Sequence, residues 1–579
     1  MIPWPDPTPT SACNEALEHL RAHATAWVEL TLTDRIALLE ELEVTVAEAA
    51  SEWVHISAEA KGLGASPDVL PDIRAEEWLA GPWTVLRHLQ LQGRALRDIQ
   101  VHGAPRLPGT AREAEDGRVK APVFPTDPLD RILFRGMSAE VWMERGVELE
   151  HLEETMGWMH RPGGKGARPG ITVVLGAGNH SCIGPLDTLF ELFARGHCVI
   201  LKTNPVNAYL GPAWERAFAP LIRKGVLRIV HGGATTGEYL CEHDAVDHIH
   251  ITGSDRTFDA IVWGTGKEGQ DRKRTGEKRV RVPITSELGN VSPVIAVPGP
   301  WSASDLAFQA SNIASSLVNN SGFNCLATRV IVTAKAWDQR RAFLDAVGRS
   351  LEAAPTRPPY YPGAQLRHRD FLAAHPNAKR FGAKGREANG IDTVGWTLIE
   401  DVDPTKTDDI CFQTESWCGL MAETALEGED PVDFLRNATE FCNDVLWGTL
   451  NATILVHPTS MRDPRIARAV EDAIGRLRYG TVSLNLWAGA AFAICSTPWG
   501  AFPGHKAEDI RSGQGFVHNT YLFERPEKTV VRAPFRIWPR PVWFHDTKHN
   551  DTTARRLFDV TTNTTAWRMA RLAWSAARG

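Results

Sequence analysis

The fold of this chain is decided by two neighbouring stretches, PITSELGNVSPVIAV at residues 283–297 and NNSGFNCLATRVIV at residues 319–332. The first stretch contains a carboxylate, Glu287, and the second contains a thiol, Cys325. The residues between the two stretches have the pattern of a helix. We therefore expect the carboxylate and the thiol to lie on opposite walls of a single cleft.

The predicted helix is indicated by apolar residues that recur at helical spacing over residues 306–318, after the polar pair Ser304 and Asp305. The pattern predicts that the helix begins at this pair and ends near residues 320–322. Cys325 then falls in the loop that follows. A loop thiol surrounded by backbone amides suits a nucleophile, although a single cysteine is otherwise more often a buried apolar residue.

The segment ELGNVSP, which begins at Glu287, and the segment GFNCLATR, which contains Cys325, resemble the ELGGKSP and GQxC signatures of the aldehyde dehydrogenase superfamily. In that family the cysteine attacks the aldehyde and the glutamate activates the water that releases the acid. The resemblance therefore implies that Cys325 is the nucleophile and Glu287 the general base. The chain departs from the family pattern at Asn290, which replaces a glycine, and has three rather than four residues between Cys325 and Arg329.

Strand and helix patterns alternate between Gly170 and Val262, where the apolar runs ITVVL, HCVILK and DHIHIT are separated by helical segments. Such alternation predicts an α/β fold with a doubly wound, mostly parallel sheet that binds nucleotides at the carboxyl ends of its strands. The loop GAGNHS at residues 176–181 contains only part of the GxGxxG fingerprint. This loop alone therefore does not identify a dinucleotide site.

Asn179 matches the asparagine of the family's PWNFP loop. The resemblance implies that its side-chain amide stabilises the oxyanion that forms when the thiol attacks. A preorganised N–H donor of this kind contributes about 3 kcal/mol to lowering a barrier. Without the resemblance, Asn179 is equally well explained as a turn residue.

Further residues match the positions at which the family holds its nicotinamide cofactor, and these are Lys202, Gly253, Ser254, Glu415 and Trp417. Pro205 stands where the family has a glutamate that binds the ribose hydroxyls and repels the 2′-phosphate of NADP. The resemblance therefore implies NADP or NAD as cofactor. No metal is expected at this site.

Composition restricts the classes of function. The 579 residues carry a net charge of −7, so the basic surface of a dedicated nucleic-acid binder is not expected. The nine cysteines show no paired spacing, which favours a reducing compartment. The amino terminus has no signal-peptide pattern and no long apolar run predicts a transmembrane segment. We expect a cytoplasmic protein whose partner is a small-molecule aldehyde.

The resemblance also implies an aldehyde dehydrogenase-like architecture with a nucleotide-binding domain, an α/β catalytic domain and a small oligomerisation β-element, assembled as a homodimer or homotetramer. Residues 101–130 are rich in proline, glycine and charge, which predicts a long surface insertion with little regular structure. The predicted domains are 1–130 (helical region and insertion), 131–168 (oligomerisation hairpin), 169–289 (nucleotide-binding), 290–510 (catalytic) and 511–579 (oligomerisation strand and extra tail).

Several other reactive or charged groups have both a functional and a structural interpretation. Cys182 is a rival thiol whose pKa a helix start could lower. His243, Asp244, His248 and His250 suggest a metal site, but structural histidines are favoured because no zinc motif accompanies them. The basic run at residues 272–281 is interpreted as a solvated hairpin. A helix from about Thr564 to Ala577 suits packing on the enzyme better than a membrane surface.

Together these patterns predict NAD(P)-dependent oxidation of an aldehyde to a carboxylic acid through a cysteine thiohemiacetal and an acyl-thioester. Two alternatives stay open at this point. One is a CoA-acylating aldehyde dehydrogenase or acyl-CoA reductase, in which a thiol accepts the acyl group instead of water. The other is a non-catalytic homologue that acts as an interaction subunit.

Overall fold

A computed structural model describes residues 4–63, 72–160, 168–382 and 395–579. Its strands form an eleven-stranded sheet, a six-stranded sheet and a two-stranded ribbon. Both large sheets contain mostly parallel pairs, so the predicted α/β fold is confirmed.

The helices, numbered in chain order, are α1 Thr10–Val28, α2 Leu32–Ala60, α3 Ala75–Trp78, α4 Thr84–His102, α5 Pro128–Leu133, α6 Ile183–Phe190, α7 Gly211–Ala217, α8 Ala219–Lys224, α9 Ala234–Glu242, α10 Asp255–Val262, α11 Gly266–Thr275, α12 Ala303–Val318, α13 Arg340–Ala353, α14 Ala364–Ala374, α15 Ile410–Gln413, α16 Pro431–Asp444, α17 Pro464–Arg476, α18 Gly489–Ala493, α19 Asn550–Thr562 and α20 Ala566–Ala577.

The strands are β1 Arg112–Glu113, β2 Val119–Phe124, β3 Ser138–Met143, β4 Ile171–Leu175, β5 Cys198–Lys202, β6 Leu227–Val230, β7 His248–Thr252, β8 Ile284–Glu287, β9 Pro293–Ala296, β10 Val330–Ala334, β11 Lys379–Phe381, β12 Trp396–Ile399, β13 Leu420–Leu426, β14 Asn451–Leu455, β15 Thr481–Leu484, β16 Trp499–Gly500, β17 Gly513–Gln514, β18 Phe516–Val517 and β19 Pro526–Arg532.

The six-stranded sheet has the strand order β6-β5-β4-β7-β8-β17. Its first five strands are parallel, and β17 pairs antiparallel with β8. The chain order along the sheet reverses between β4 and β7, and ligands of doubly wound sheets bind at such a point, beyond the carboxyl ends of the strands. The loop after β4 carries Asn179, β5 ends at Lys202, and Gly253 follows β7. The topology therefore gathers these residues at one sheet edge.

The eleven-stranded sheet is built around β9 and β10, which are parallel neighbours joined in sequence by α12. This helix begins one residue before the predicted Ser304, with Ser302 as its N-cap. The Ser302 side chain accepts a hydrogen bond from the Asp305 N–H, and the Asp305 carboxylate accepts one from the Ser302 N–H. This capping box satisfies two free backbone donors and so sets the earlier start.

The prediction that residues 101–130 have little regular structure is wrong. Strand β2 is largely buried and pairs with β3, which in turn pairs antiparallel with β19. The sequence pattern did not predict this strand, because the segment contains prolines and proline is disfavoured inside a sheet. Pro122 is tolerated where the β2–β3 register is irregular. Ile132, at the start of the predicted hairpin region, lies in α5, and residues 161–167 of that region lie outside the described residues.

We call residues 536–579 the C-terminal extension. It contains the predicted final helix, α20, and an unpredicted helix, α19. The Trp83 indole donates a hydrogen bond to Thr561 Oγ1 at 2.9 Å, and the Trp78 and Phe558 rings lie 5.3 Å apart. The extension thus packs on the body of the same chain, although Trp567 of α20 stays exposed. Across the described ranges, no helix is long and apolar enough to cross a membrane.

Candidate functional site

Cys325 is presented by a tight turn that follows α12. Asn320 and Ser321 adopt left-handed backbone conformations, with φ of 51° and 60°, and Gly322 follows with φ of 79°. A Cβ on Gly322 would lie 2.6 Å from the carbonyl carbon of Cys418, so only glycine fits there. The turn brings the Cys325 side chain to the boundary between two cavities.

Arg329 holds this loop in place from the protein interior. Its guanidinium donates hydrogen bonds to the carbonyl oxygens of Gly322 at 2.8 Å, Asn324 at 3.2 Å and Cys418 at 2.8 Å. Carbonyl groups that would otherwise be buried without partners are satisfied in this way. The shorter spacing between Cys325 and Arg329 is therefore compatible with an ordered loop.

Glu287 is the last residue of β8, and its side chain is buried against Cys325. The Trp499 indole donates a hydrogen bond to Glu287 Oε1 at 3.2 Å. Burial raises the pKa of Glu287 to about 7, and the neighbouring Asp187 contributes in the same direction. Burial, followed by the facing Glu287 carboxylate, raises the pKa of the Cys325 thiol well above its usual value. The thiol proton therefore faces a base that is about half ionised near neutral pH.

Asn179 lies in the turn after β4, and its side-chain Nδ2 donates a hydrogen bond to the carbonyl oxygen of Phe323 at 3.2 Å. Phe323 precedes Cys325 by two residues. The structure therefore places the Asn179 amide beside the cysteine loop. Its role as an oxyanion donor stays a prediction.

A buried ion pair contacts the backbone of Asn179. Lys61 and Glu77 lie 2.7 Å apart with side chains that are 4% exposed. Lys61 Nζ also donates hydrogen bonds to the Asn179 carbonyl oxygen and to Asn320 Oδ1, each at 3.1 Å. Tyr360 donates to the same two oxygens, at 3.2 Å and 2.9 Å. Sequence patterns gave no signal for this network, because Lys61 lies more than a hundred residues from both Asn179 and Asn320.

A cleft of about 980 Å³ opens beyond the carboxyl ends of the six-stranded sheet. All the site residues that the sequence predicts line this cleft, namely Asn179, Lys202, Gly253, Ser254, Glu287, Cys325, Glu415 and Trp417. The structure therefore brings the predicted catalytic and cofactor residues to one site.

The cleft contains polar groups that are available to a ligand. Oε1 of Glu415 is buried without a hydrogen-bond partner and lies 4.0 Å from Arg329. Burial raises the pKa of Glu415 to about 8 and lowers that of Lys202 to about 8. Ser254 caps the N-terminus of α10, where backbone N–H groups favour an anion. These features fit the ribose and phosphate groups of a nicotinamide cofactor.

A second cavity, of about 100 Å³, lies on the other side of Cys325 and shares Cys325 and Glu287 with the cleft. Most of its lining is aromatic or aliphatic, including Trp83, Trp487 and Trp499. Sequence patterns did not identify these residues, because they belong to distant parts of the chain. The thiol is thus reached from a large cleft on one side and a small apolar cavity on the other.

The rival groups are placed away from this chemistry. Burial raises the pKa of Cys182 well above its usual value, contrary to the expected lowering, and Cys182 lines neither cavity. His248 and His250 lie near the buried carboxylates of Glu191 and Asp187, at 3.5 Å and 3.6 Å. Residues 272–275 form the last turn of α11, so the hairpin predicted for the basic run is wrong there.

Part of this chain is similar in sequence to known proteins. The model of the aldehyde dehydrogenase family matches residues 168–369. The 2-hydroxymuconic semialdehyde dehydrogenase of Pseudomonas sp. (strain CF600) is 28% identical over 359 residues, which are 58% of this chain and 65% of that relative. The chain thus matches slightly less than two thirds of that relative's length.

Two solved structures share the fold. A mutant of aldehyde dehydrogenase C from Pseudomonas syringae, in complex with NAD+ and octanal, is 16% identical with a TM-score of 0.59, covering 91% of this chain and 89% of that one. The NADP-dependent glyceraldehyde-3-phosphate dehydrogenase from Bacillus halodurans, in complex with NADP, is 16% identical with a TM-score of 0.58, covering 90% and 91%. Residues 168–369 thus match the aldehyde dehydrogenase family, and the chain shares the fold of a solved aldehyde dehydrogenase over most of its length.

Proposed function

We propose that this protein oxidises an aldehyde to a carboxylic acid with NAD or NADP as the hydride acceptor. The observation that carries the proposal is the position of Cys325, which faces Glu287 at the boundary between a large cleft with several polar side chains and a small apolar cavity. A nucleophile, a base and separate spaces for cofactor and substrate are the parts that this reaction needs.

In the proposed reaction Cys325 attacks the aldehyde carbon and forms a thiohemiacetal. Asn179 and the backbone N–H of Cys325 donate hydrogen bonds to the oxyanion that develops. A bound nicotinamide would supply the hydride acceptor, and loss of a hydride from the thiohemiacetal carbon leaves an acyl-thioester on Cys325. Glu287 then removes a proton from water, and the hydroxide equivalent releases the carboxylic acid.

The cleft residues fit the cofactor through specific groups. We assign the unpartnered Oε1 of Glu415 to a ribose hydroxyl, and the N-terminus of α10 at Ser254 to the pyrophosphate. Lys202 Nζ makes no hydrogen bond or ion pair within the described part of the chain, so it is free to hold the adenosine ribose. The solved relatives with NAD+ and with NADP support a nicotinamide cofactor without deciding between them.

The wild-type enzyme is expected to produce reduced cofactor with simple aldehydes, measured by absorbance. Its kcat should fall as the pH decreases through about 7, because the raised pKa of Glu287 leaves the base protonated below that value. Trp499→Phe removes the indole N–H that stabilises the ionised carboxylate, so the fall should move to higher pH. A flat wild-type profile, or a fall that Trp499→Phe leaves in place, would exclude Glu287 as the rate-limiting base.

Cofactor preference is expected to depend on Pro205. This exposed residue follows Asn204, which lines the cleft, and it brings no carboxylate to face a 2′-phosphate. NADP should therefore be used at least comparably with NAD. Pro205→Glu should shift the ratio of the two kcat/KM values towards NAD by about tenfold, because like charges repel. Pro205→Ala is the matched control and should leave the ratio unchanged. A wild type confined to NAD would assign the discrimination to another residue.

A further inference from the structure

The C-terminal extension contributes part of the wall of the apolar cavity beside Cys325. Val542 and Trp543 line the cavity from the segment before α19, and Leu557 lines it from α19 itself. The facing walls come from distant parts of the chain, including Trp83 at the start of α4 and Trp487 near α18. The cavity is therefore complete only when the extension is in place.

The extension is fixed to the elements that carry the site. The His545 N–H donates a hydrogen bond to Ser315 Oγ of α12 at 3.0 Å, and the Phe544 and Phe308 rings lie 5.2 Å apart. Arg74 and Asp551 form an ion pair at 3.1 Å. Helix α12 leads directly into the Cys325 turn, so the position of the wall is coupled to the position of the thiol.

The cavity offers no positive charge to a substrate. Among the described residues that line it there is no lysine or arginine, while the carboxylates of Glu76, Asp187 and Glu287 do line it. Glu76 already pairs with Arg357 at 2.7 Å. Two histidines also line the cavity; burial lowers the pKa of His180 to about 3 and lowers the pKa of His518, so both imidazoles favour the neutral form. A carboxylated aldehyde would therefore bury an unpaired negative charge close to other carboxylates, which is strongly unfavourable.

Size gives the second restriction. The cavity volume of about 100 Å³ is below the roughly 150 Å³ of an apolar cavity known to accept benzene. The aldehyde carbon of a substrate would lie outside this volume, at Cys325. Flat indole faces pack well against a ring. A single ring is thus the upper limit and fits only with its aldehyde-bearing edge outside the cavity at Cys325, whereas a fused ring system exceeds the space by far.

We infer that the C-terminal extension is a wall of the aldehyde-binding site and that the completed cavity selects uncharged aldehydes no bulkier than a single aromatic ring. This inference rests on the proposed aldehyde oxidation. Two physical effects produce this selection. The lining has no cation to pair with a negatively charged aldehyde, and Trp543 and its neighbours leave no room for a bulky aldehyde.

The charge effect is tested on the full-length wild type with two aldehydes of similar size. We expect kcat/KM for 4-methylpentanal to exceed that for 4-oxobutanoate, in which a carboxylate replaces the isopropyl group, by at least about a hundredfold. Equal or better use of the carboxylated compound would overturn the inference and leave aldehyde oxidation intact. Absence of reduced cofactor with these compounds, benzaldehyde and acetaldehyde alike would instead overturn the proposed function itself.

The size effect is tested by Trp543→Ala, which enlarges the cavity. This variant should gain at least about tenfold in kcat/KM for 2-naphthaldehyde and lose affinity for benzaldehyde. Trp538→Ala removes a tryptophan of the same extension that is 75% exposed and lies outside the cavity lining, so it should behave as wild type.

Val542→Phe tests the same wall in the opposite direction, and does not depend on Trp543→Ala folding. It should narrow the cavity and suppress benzaldehyde oxidation while acetaldehyde is still oxidised. Identical aldehyde profiles for Trp543→Ala and Trp538→Ala, or full benzaldehyde activity in Val542→Phe, would show that the extension does not contact the substrate.

Discussion

Cys325→Ala is expected to abolish aldehyde oxidation while leaving the fold and cofactor binding intact. Among the described residues, Cys325 is the only cysteine that lines both the large cleft and the apolar cavity. The one other cysteine in the described lining of the cleft is Cys241 on α9, which does not line the cavity. Removal of a covalent nucleophile typically costs four or more orders of magnitude in rate. Steady-state formation of reduced cofactor measures the loss, and titration of cofactor binding by fluorescence shows that the cleft is retained.

Cys182→Ala is the matched control for this experiment. Cys182 is also fully buried, but it lines neither cavity. The variant should keep near wild-type kcat, with any change appearing in thermal stability because a buried side chain is shortened. Substantial oxidation by Cys325→Ala would mean that the thiohemiacetal forms on another residue.

The parts of the site that sequence patterns predicted are those carried by short contiguous motifs. Glu287 ends a strand and Cys325 follows a helix, and both elements have clear periodicity, so local reasoning places them correctly. Lys202, Gly253 and Ser254 were implied by the family resemblance, and they lie at or just after the carboxyl ends of β5 and β7. Their shared position at one cleft results from the strand order of the sheet.

The parts that were missed depend on contacts between distant residues. Trp499 reaches Glu287 across 212 positions of sequence, and Lys61 reaches Asn179 across 118. No local pattern specifies such pairs, since they result from packing of whole elements. Strand β2 was missed for a different reason. Proline normally argues against a strand, but here it is accommodated where the strand register is irregular.

Glu287→Gln is expected to give one burst of reduced cofactor, stoichiometric with active sites, followed by very slow turnover. The amide retains the shape of the carboxylate, and its oxygen accepts the hydrogen bond from Trp499, so the site should stay folded. It cannot remove a proton from water, and loss of a general base costs about two to four orders of magnitude. The acyl-enzyme should accumulate and be detectable as added mass on the intact protein.

The same variant distinguishes hydrolysis from transfer to CoA. Water is a poor nucleophile at neutral pH and needs a positioned base, whereas a thiol with a sizeable thiolate fraction attacks a thioester with little help. The burial of Glu287 against Cys325 therefore favours hydrolysis. Added CoA should neither accelerate the wild type nor yield acyl-CoA. Robust acyl-CoA formation, with Glu287→Gln turning over at near wild-type rate in CoA, would assign the acylating reaction. A variant without a burst would place Glu287 in activation of the thiol, consistent with a carboxylate that faces the Cys325 proton.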